Sequence, residues 1–308
     1  MPPTKELPET IGGPDAPTKC HTPGTKSYDS TRCTCKSNCD GDLCDQCKYG
    51  AFDGPSENHP GGCLSCWCAE TTQRCDPSNF RYTKLEPSLS DSFVLVSQNP
   101  NSNVLDQLQP ATLNQMANKG YHAETRGKDN CYWYMPDRFL GNKLRTYGGE
   151  ISFTSIVDGS RRTEQDADII IRGNGKRLEY TKSDNSPKFN VKIAENQGWK
   201  TNGMDSSRGE IMTALTKIDS ILIRACSGRT TYSRFSDMSI DYANGTTGTG
   251  ETATSVERCQ CPTGYRGLSC EDCAPGYYRI DGPGLGMCEK CNCGGDNECD
   301  DFTGQCKV

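Results

Sequence analysis

The spacing of cysteine constrains this chain more than any other feature of its sequence. From Cys33 the order is one residue to Cys35, eight to Cys44, two to Cys47 and fifteen to Cys63. From Cys259 it is one residue to Cys261, eight to Cys270, two to Cys273 and fourteen to Cys288. Each block then continues after two residues into Cys-x-Cys: Cys66 and Cys68 in the first, Cys291 and Cys293 in the second. Cys75 and Cys299 follow. Residues between the cysteines match as well, with Asp45-Gln46-Cys47-Lys48-Tyr49-Gly50 set against Glu271-Asp272-Cys273-Ala274-Pro275-Gly276-Tyr277-Tyr278. Two blocks that nearly superimpose are an internal repeat.

Of the 21 cysteines, ten lie between Cys20 and Cys75, nine between Cys259 and Cys306, and only Cys131 and Cys226 between the two clusters. Such clusters form disulfides in an oxidising compartment or bind metal in a reducing one. Cys44-x2-Cys47-x15-Cys63-x2-Cys66 alone satisfies a four-cysteine zinc pattern. Zinc would leave Cys33, Cys35, Cys68, Cys75 and their counterparts without a role, whereas disulfides use nearly the whole set. His21, His59 and His122 are the only histidines and add no ligand pattern. No metal or other cofactor is expected.

With a hydrophobic fraction of 33%, the cysteine-rich ends bury little apolar surface and need covalent staples. A net charge of −6 argues against nucleic-acid binding, which needs clustered Lys and Arg. No apolar run reaches the length of a membrane span, so membrane insertion is not expected. Residues 1–19, read as linker or disordered, hold three acidic residues and no apolar signal-peptide core. A secreted chain lacking that signal is expected to be part of a longer one.

These residues resemble the laminin-type EGF-like repeat. The resemblance implies a repeat split by an insertion, with bridges Cys66–Cys75, Cys68–Cys259, Cys261–Cys270 and Cys273–Cys288. A preceding partial repeat then holds Cys35–Cys44 and Cys47–Cys63, with Cys33 joined to Cys20. A following one holds Cys291–Cys299 and Cys293–Cys306. Cys39 departs from the family pattern and makes the total odd, leaving pairing at the front open.

The insertion resembles the laminin IV module, through Tyr132-Trp133-Tyr134-Met135-Pro136-Asp137-Arg138-Phe139-Leu140-Gly141-Asn142-Lys143, Tyr147-Gly148-Gly149-Glu150-Ile151-Ser152-Phe153 and Ile221-Leu222-Ile223-Arg224-Ala225. Cys-Leu-Ser-Cys-Trp-Cys at 63–68 and Cys-Gln-Cys-Pro-Thr-Gly-Tyr-Arg-Gly-Leu-Ser-Cys at 259–270 resemble the perlecan-type arrangement most. The expected divisions are 1–19, a partial repeat over 20–65, a split repeat over 66–75 and 259–290, the module over 76–258, and the start of a further repeat over 291–308.

Patterning within the module points the same way without the family. Ser92–Gln98 is a short apolar run, and Glu150–Val157 alternates with Ile151 and Phe153 on one face. Asp168–Tyr180 reads as two strands around Gly173-Asn174-Gly175, a hairpin signal. Phe189–Ala194 and Met238–Tyr242 alternate again. Ser207–Lys217 has helical spacing at Ile211, Met212 and Leu215, and Ile218–Ala225 follows as a buried strand. The fold class is therefore mainly β: disulfide-rich repeats flanking a jelly-roll-like antiparallel β-sandwich with one short helix. Cys131 and Cys226 each border a predicted core strand, which allows either a bridge or two buried thiols. Asn244-Gly245-Thr246 is the sole glycosylation sequon.

The expected function is a structural and interaction segment of a secreted, extracellular basement-membrane protein. It is a semi-rigid spacer that presents a lateral sandwich to other basement-membrane or cell-surface proteins and to glycans. No small-molecule substrate and no enzyme activity are expected: Glu164, Asp166, Asp168 and Glu179 are scattered by strand alternation, and His122 with Cys131 lacks an orienting group. The alternative is a glycan- or calcium-binding module, using the Tyr132, Trp133 and Tyr134 aromatics or the carboxylates near Asp158, Glu164 and Asp166. The competing readings are core packing for the aromatics and polar turn chemistry for the carboxylates.

Overall fold

A computed structural model of the chain describes residues 20–29, 32–88, 90–91, 93–98, 105–107, 120–125, 130–157, 167–226, 232–245, 250–282, 284–294 and 299–307. Within the inserted module the strands are β1 (Arg81–Leu85), β2 (Val94–Gln98), β3 (Leu105–Gln107), β4 (Tyr121–Glu124), β5 (Cys131–Tyr134), β6 (Glu150–Val157), β7 (Ile169–Gly173) and β8 (Lys176–Tyr180). They continue as β9 (Lys188–Lys192), β10 (Trp199–Thr201), β11 (Met204–Asp205), β12 (Ile218–Arg224) and β13 (Tyr232–Asn244). The α-helix among the described residues, α1 (Arg208–Thr216), precedes β12.

The strands form two antiparallel sheets. The larger has order β3-β2-β5-β12-β7-β8-β10-β11; the smaller has order β4-β13-β6-β9, with β1 also paired to β13. Aromatic rings fill the space between them. Trp133 of the larger sheet faces Phe235 of the smaller at 6.0 Å between centroids, and its indole N–H donates to Ser233 Oγ at 3.0 Å. Phe235 also meets Phe93 and Phe153, each at 5.6 Å.

The larger sheet is buried on both faces at its centre. Ile169, Ile171, Ile221 and Ile223 join the inter-sheet core, while Ile170 and Leu222 join Val96, Tyr132 and Ala167 in a second cluster on the opposite face. Continuous apolar runs are what such two-sided burial requires. The β7–β8 hairpin turns at Asn174 and Gly175, both at positive φ (43° and 72°), as a two-residue primed turn needs. On β13, Asp237 at φ 57° marks a bulge: Ser152 pairs with Ser239 but Thr154 with Ser236.

Helix α1 starts where the chain says it should. Ser207 caps it by accepting from the Glu210 amide, and Glu210 returns a bond to the Ser207 amide, a complete capping box. Its Ile211, Met212 and Leu215 are buried in the main core.

The flanking repeats are built differently. Their strands are two to four residues long and pair locally, as in Gln46–Cys47 with Cys39–Asp40 and Tyr277–Ile280 with Met287–Lys290. The core of the first repeat is a cluster of cysteines, with Leu43 and Ala51 its only other apolar members.

Candidate functional site: the joint between repeats and sandwich

The chain leaves the first set of repeats at Cys68 and returns at Cys259. These two residues are bridged across a sequence separation of 191, with Cα atoms 5.8 Å apart. Beside the bridge, Cys75–Pro77 pairs with Glu257–Cys259, so that Cys75 lies opposite Cys259 and Pro77 opposite Glu257. Entry and exit are thereby fixed at one place.

A buried carboxylate completes this joint. Glu257 is 1% exposed, and it accepts from the Trp67 and Cys68 amides, both at 2.8 Å, and from Arg208 Nη2 at 2.9 Å. Arg208 is the first residue of α1, so the helix delivers a sandwich cation to a carboxylate on the returning chain. Its Nε donates to the Ser65 carbonyl at 3.0 Å, and its guanidinium lies 4.2 Å from the Tyr147 ring centre and 5.4 Å from that of Phe52. Burial opposes the Arg208 charge, but Tyr147, Glu257 and Glu195 outweigh it and raise the pKa. Tyr147 is itself pushed up, first by burial, and its hydroxyl donates to the Glu195 carboxylate.

Three successive residues, Cys68, Ala69 and Glu70, have positive φ of 41°, 48° and 62°. Each left-handed residue with a Cβ costs roughly 1–2 kcal/mol. The bridge, the Glu257 contacts to the Trp67 and Cys68 amides, and a Thr71 hydroxyl bond to the Cys68 carbonyl at 2.8 Å hold the turn against that cost.

Apolar packing extends across the joint. Phe52, Leu64, Trp67 and Ala69 of the repeats are continuous with the sandwich core. A second polar clasp lies nearby. Asp53 Oδ2 accepts from Ser255 Oγ at 2.9 Å and faces His59 Nε2 at 3.1 Å. Burial works against the Asp53 charge, but hydrogen bonds from His59, Thr254 and Ser255 prevail and hold its carboxyl below the usual range. On the far side, Asn142 donates to Glu271 at 3.0 Å, tying the sandwich to the following repeat.

The structure places the cysteines in bridges Cys20–Cys33, Cys35–Cys44, Cys47–Cys63, Cys66–Cys75, Cys68–Cys259, Cys131–Cys226, Cys261–Cys270, Cys273–Cys288, Cys291–Cys299 and Cys293–Cys306, with Cys39 free. Asn244 is exposed at the end of β13, while Thr246 lies outside the described residues.

Those residues considered for ligand chemistry that the structure describes are not brought together. Trp133 and Tyr132 are buried packing residues, at 0% and 4% exposure, rather than a sugar platform. Asp168 pairs with Arg224, and Glu179 with Arg177 at 2.6 Å. His122 stands on β4 of the smaller sheet and Cys131 on β5 of the larger. Asp158, Gly159, Glu164 and Asp166 lie outside the described residues.

Sequence reasoning missed Arg208, Glu257, Tyr147 and Asp53. The Ser207-Arg208-Gly209-Glu210 capping box was a usable signal for where α1 begins. Nothing in the sequence marks Glu257 as buried.

The Laminin B (Domain IV) family matches residues 132–257, and the Laminin EGF domain family matches residues 12–63 and 244–291. A basement membrane proteoglycan of Caenorhabditis elegans is 34% identical over 89% of this chain and 8% of its own length. The basement membrane-specific heparan sulfate proteoglycan core protein of Mus musculus is 31% identical over 94% of this chain, and laminin subunit alpha-1 of Mus musculus 33% identical over 83%. The chain spans 8% of each proteoglycan and 9% of that laminin. The solved L4b domain of human laminin alpha-2 aligns over 54% of this chain and 100% of that one, with a TM-score of 0.46 and 19% identity. The chain thus carries a laminin B (domain IV) domain and laminin EGF domains, and the relatives that it matches over most of its length include basement-membrane proteoglycans and laminins.

Proposed function

We propose that this chain is a structural and interaction segment of an extracellular basement-membrane protein, in which a line of stapled repeats carries a sandwich out to one side. The joint is the observation that carries this reading. Both ends of the sandwich meet at Cys68, Cys259 and Glu257, so the repeats continue past it without interruption. The divisions that follow are a partial repeat over 20–65, a split repeat over 66–75 and 259–290, the sandwich over 76–258 and a further repeat from 291.

Ten bridges need an oxidising, extracellular setting. The basement-membrane relatives support that setting, and no described helix is long and apolar enough to cross a membrane. Matrix or cell-surface proteins are the proposed partners. The site offers no catalytic grouping: its charged side chains neutralise one another inside the joint. We propose no enzyme activity on that ground. A glycan on Asn244 fits its exposure and would be read as a mass shift on treatment with peptide N-glycosidase.

Two measurements test the proposal. A non-reducing peptide map with a thiol count and a zinc assay must yield a peptide joining Cys68 to Cys259; free cysteines with bound zinc would overturn the architecture and compartment together. The native chain should then bind immobilised basement-membrane matrix saturably, and the chain unfolded by reduction and alkylation in urea should not. Absence of binding by the native chain sinks the interaction role. A calcium titration followed by thermal melting separates off the ion-binding alternative, which predicts a rise in Tm.

A further inference from the structure

Cys39 is the one cysteine outside the ten bridges, yet it does not stand alone. Its sulfur is 0% exposed and lies 3.8 Å from Cys63 Sγ, at van der Waals contact. Cys63 is bridged to Cys47, and Cys47 lies directly opposite Cys39 in the short ladder of the first repeat. A nucleophile and a disulfide are thus held in one cluster. The surrounding chain is shaped to the thiol. Gly62, at φ +85°, has the Cys39 sulfur in the space a side chain would occupy, and a Cβ on Gly24 would stand 3.3 Å from it. The enclosure also means that an outside reagent does not meet Cys39 before the sulfur of Cys63 does.

We propose that Cys39 is an internal nucleophile that exchanges the Cys47–Cys63 bridge for Cys39–Cys63, making Cys47 a latent site of S-thiolation. The Cys39 thiolate attacks Cys63 Sγ, and the Cys63–Cys47 bond breaks. Its electron pair leaves on Cys47, which takes up a proton. One disulfide is lost and one gained, so no oxidant is consumed. The difference lies in access: Cys39 and Cys63 are buried, whereas Cys47 is partly exposed. A low-molecular-weight disulfide such as glutathione disulfide then completes the change. The Cys47 thiolate attacks it, forms a mixed disulfide and releases one glutathione thiolate.

Burial pushes the Cys39 thiol up, against Lys36, Lys48 and the Cys63 backbone, which pull it down. The exchange is therefore slow at neutral pH and gains about tenfold per pH unit as thiolate accumulates below the thiol pKa.

The test treats the native full chain with glutathione disulfide at pH 7 and pH 8, quenches in acid and maps peptides without reduction. Expected are glutathione on Cys47 and a Cys39–Cys63 peptide in equal amount, about tenfold more at pH 8, both absent from Cys39→Ala. Glutathione on Cys39, no adduct at either pH, or a Cys47 adduct that survives in Cys39→Ala overturns the proposal. Where Cys39→Ala misfolds, the time course of the unsubstituted chain decides the matter: the Cys39–Cys63 peptide must appear without glutathione on Cys39 at any earlier time, whereas attack by free glutathione would pass through that adduct.

Discussion

The repeats and the sandwich solve the same problem by opposite means. Nine of the ten bridges lie in or bound the repeats, where the first repeat's core is little more than sulfur. The sandwich has one bridge, Cys131–Cys226, and an inter-sheet core that includes Trp133, Phe153, Phe235 and the isoleucines of β7 and β12. In the repeats the entropy of the unfolded chain is cut by closing short loops, each worth about 3 kcal/mol in the chain-entropy model. In the sandwich it is offset by apolar burial. The contrast teaches that the two regions should fail under different stresses, and that only the joint should respond to both.

Reduction is the strongest way to break this comparison. With every bridge opened, the repeats should lose their structure entirely while the sandwich persists. Limited proteolysis under reducing conditions should then leave a resistant fragment containing β1 to β13. If the sandwich is digested as fast as the repeats, its core is not self-sufficient and the division collapses. The converse probe is Trp133→Ala, which empties one of the two largest fully buried side chains described in the sandwich and strands Ser233. It should cost about 4 kcal/mol in urea unfolding. The bridge pattern of the repeats should stay unchanged on a non-reducing map.

The same contrast explains what the sequence made legible. Cysteine spacing is a one-dimensional signal, and it made the recurring laminin EGF-type blocks legible because their loop lengths recur. Helix α1 and β6 were equally readable, the first from its apolar spacing, the second from Ile151 and Phe153 alternating with polar residues. Other strands were not. Arg81–Leu85 is Arg-Tyr-Thr-Lys-Leu, with no apolar alternation, and is a strand because β13 offers it an edge. Met238–Tyr242 showed only the end of a strand that begins at Tyr232, since the bulge at Asp237 breaks the period. The joint was hidden for a related reason. Arg208 and Glu257 are 49 residues apart and meet only because the chain closes on itself, and no local pattern distinguishes a buried ion pair from two surface charges.

Glu257→Gln sharpens the comparison at that joint. It keeps the shape but leaves the buried Arg208 guanidinium without its counter-charge, and should cost about 3 kcal/mol. Because Glu257 accepts from repeat amides while Arg208 belongs to the sandwich, hydrogen exchange should quicken on both sides: at Trp67 and Cys68, and in the first turn of α1. Quickening confined to one side would mean that the two regions are neighbours without being coupled.

The smallest expected effect is the one that acid should expose. Asp53 belongs to the first repeat, and its carboxylate is held by His59 and by Ser255 of the returning chain. Its folded pKa lies below the ordinary value of about 3.9 that it regains on unfolding. A depressed carboxylate contributes stability above its unfolded pKa, and that contribution disappears as pH falls through the lower, folded value. The charged hydrogen bonds involved are worth about 1.5 kcal/mol. Stability measured in urea between pH 6 and pH 2 should therefore drop for the native chain more steeply than for Asp53→Asn, which starts lower and changes less. Coincident curves for the two proteins would show that Asp53 only fills space at the joint. The connection between repeats and sandwich would then rest on Glu257, Arg208 and the bridge alone.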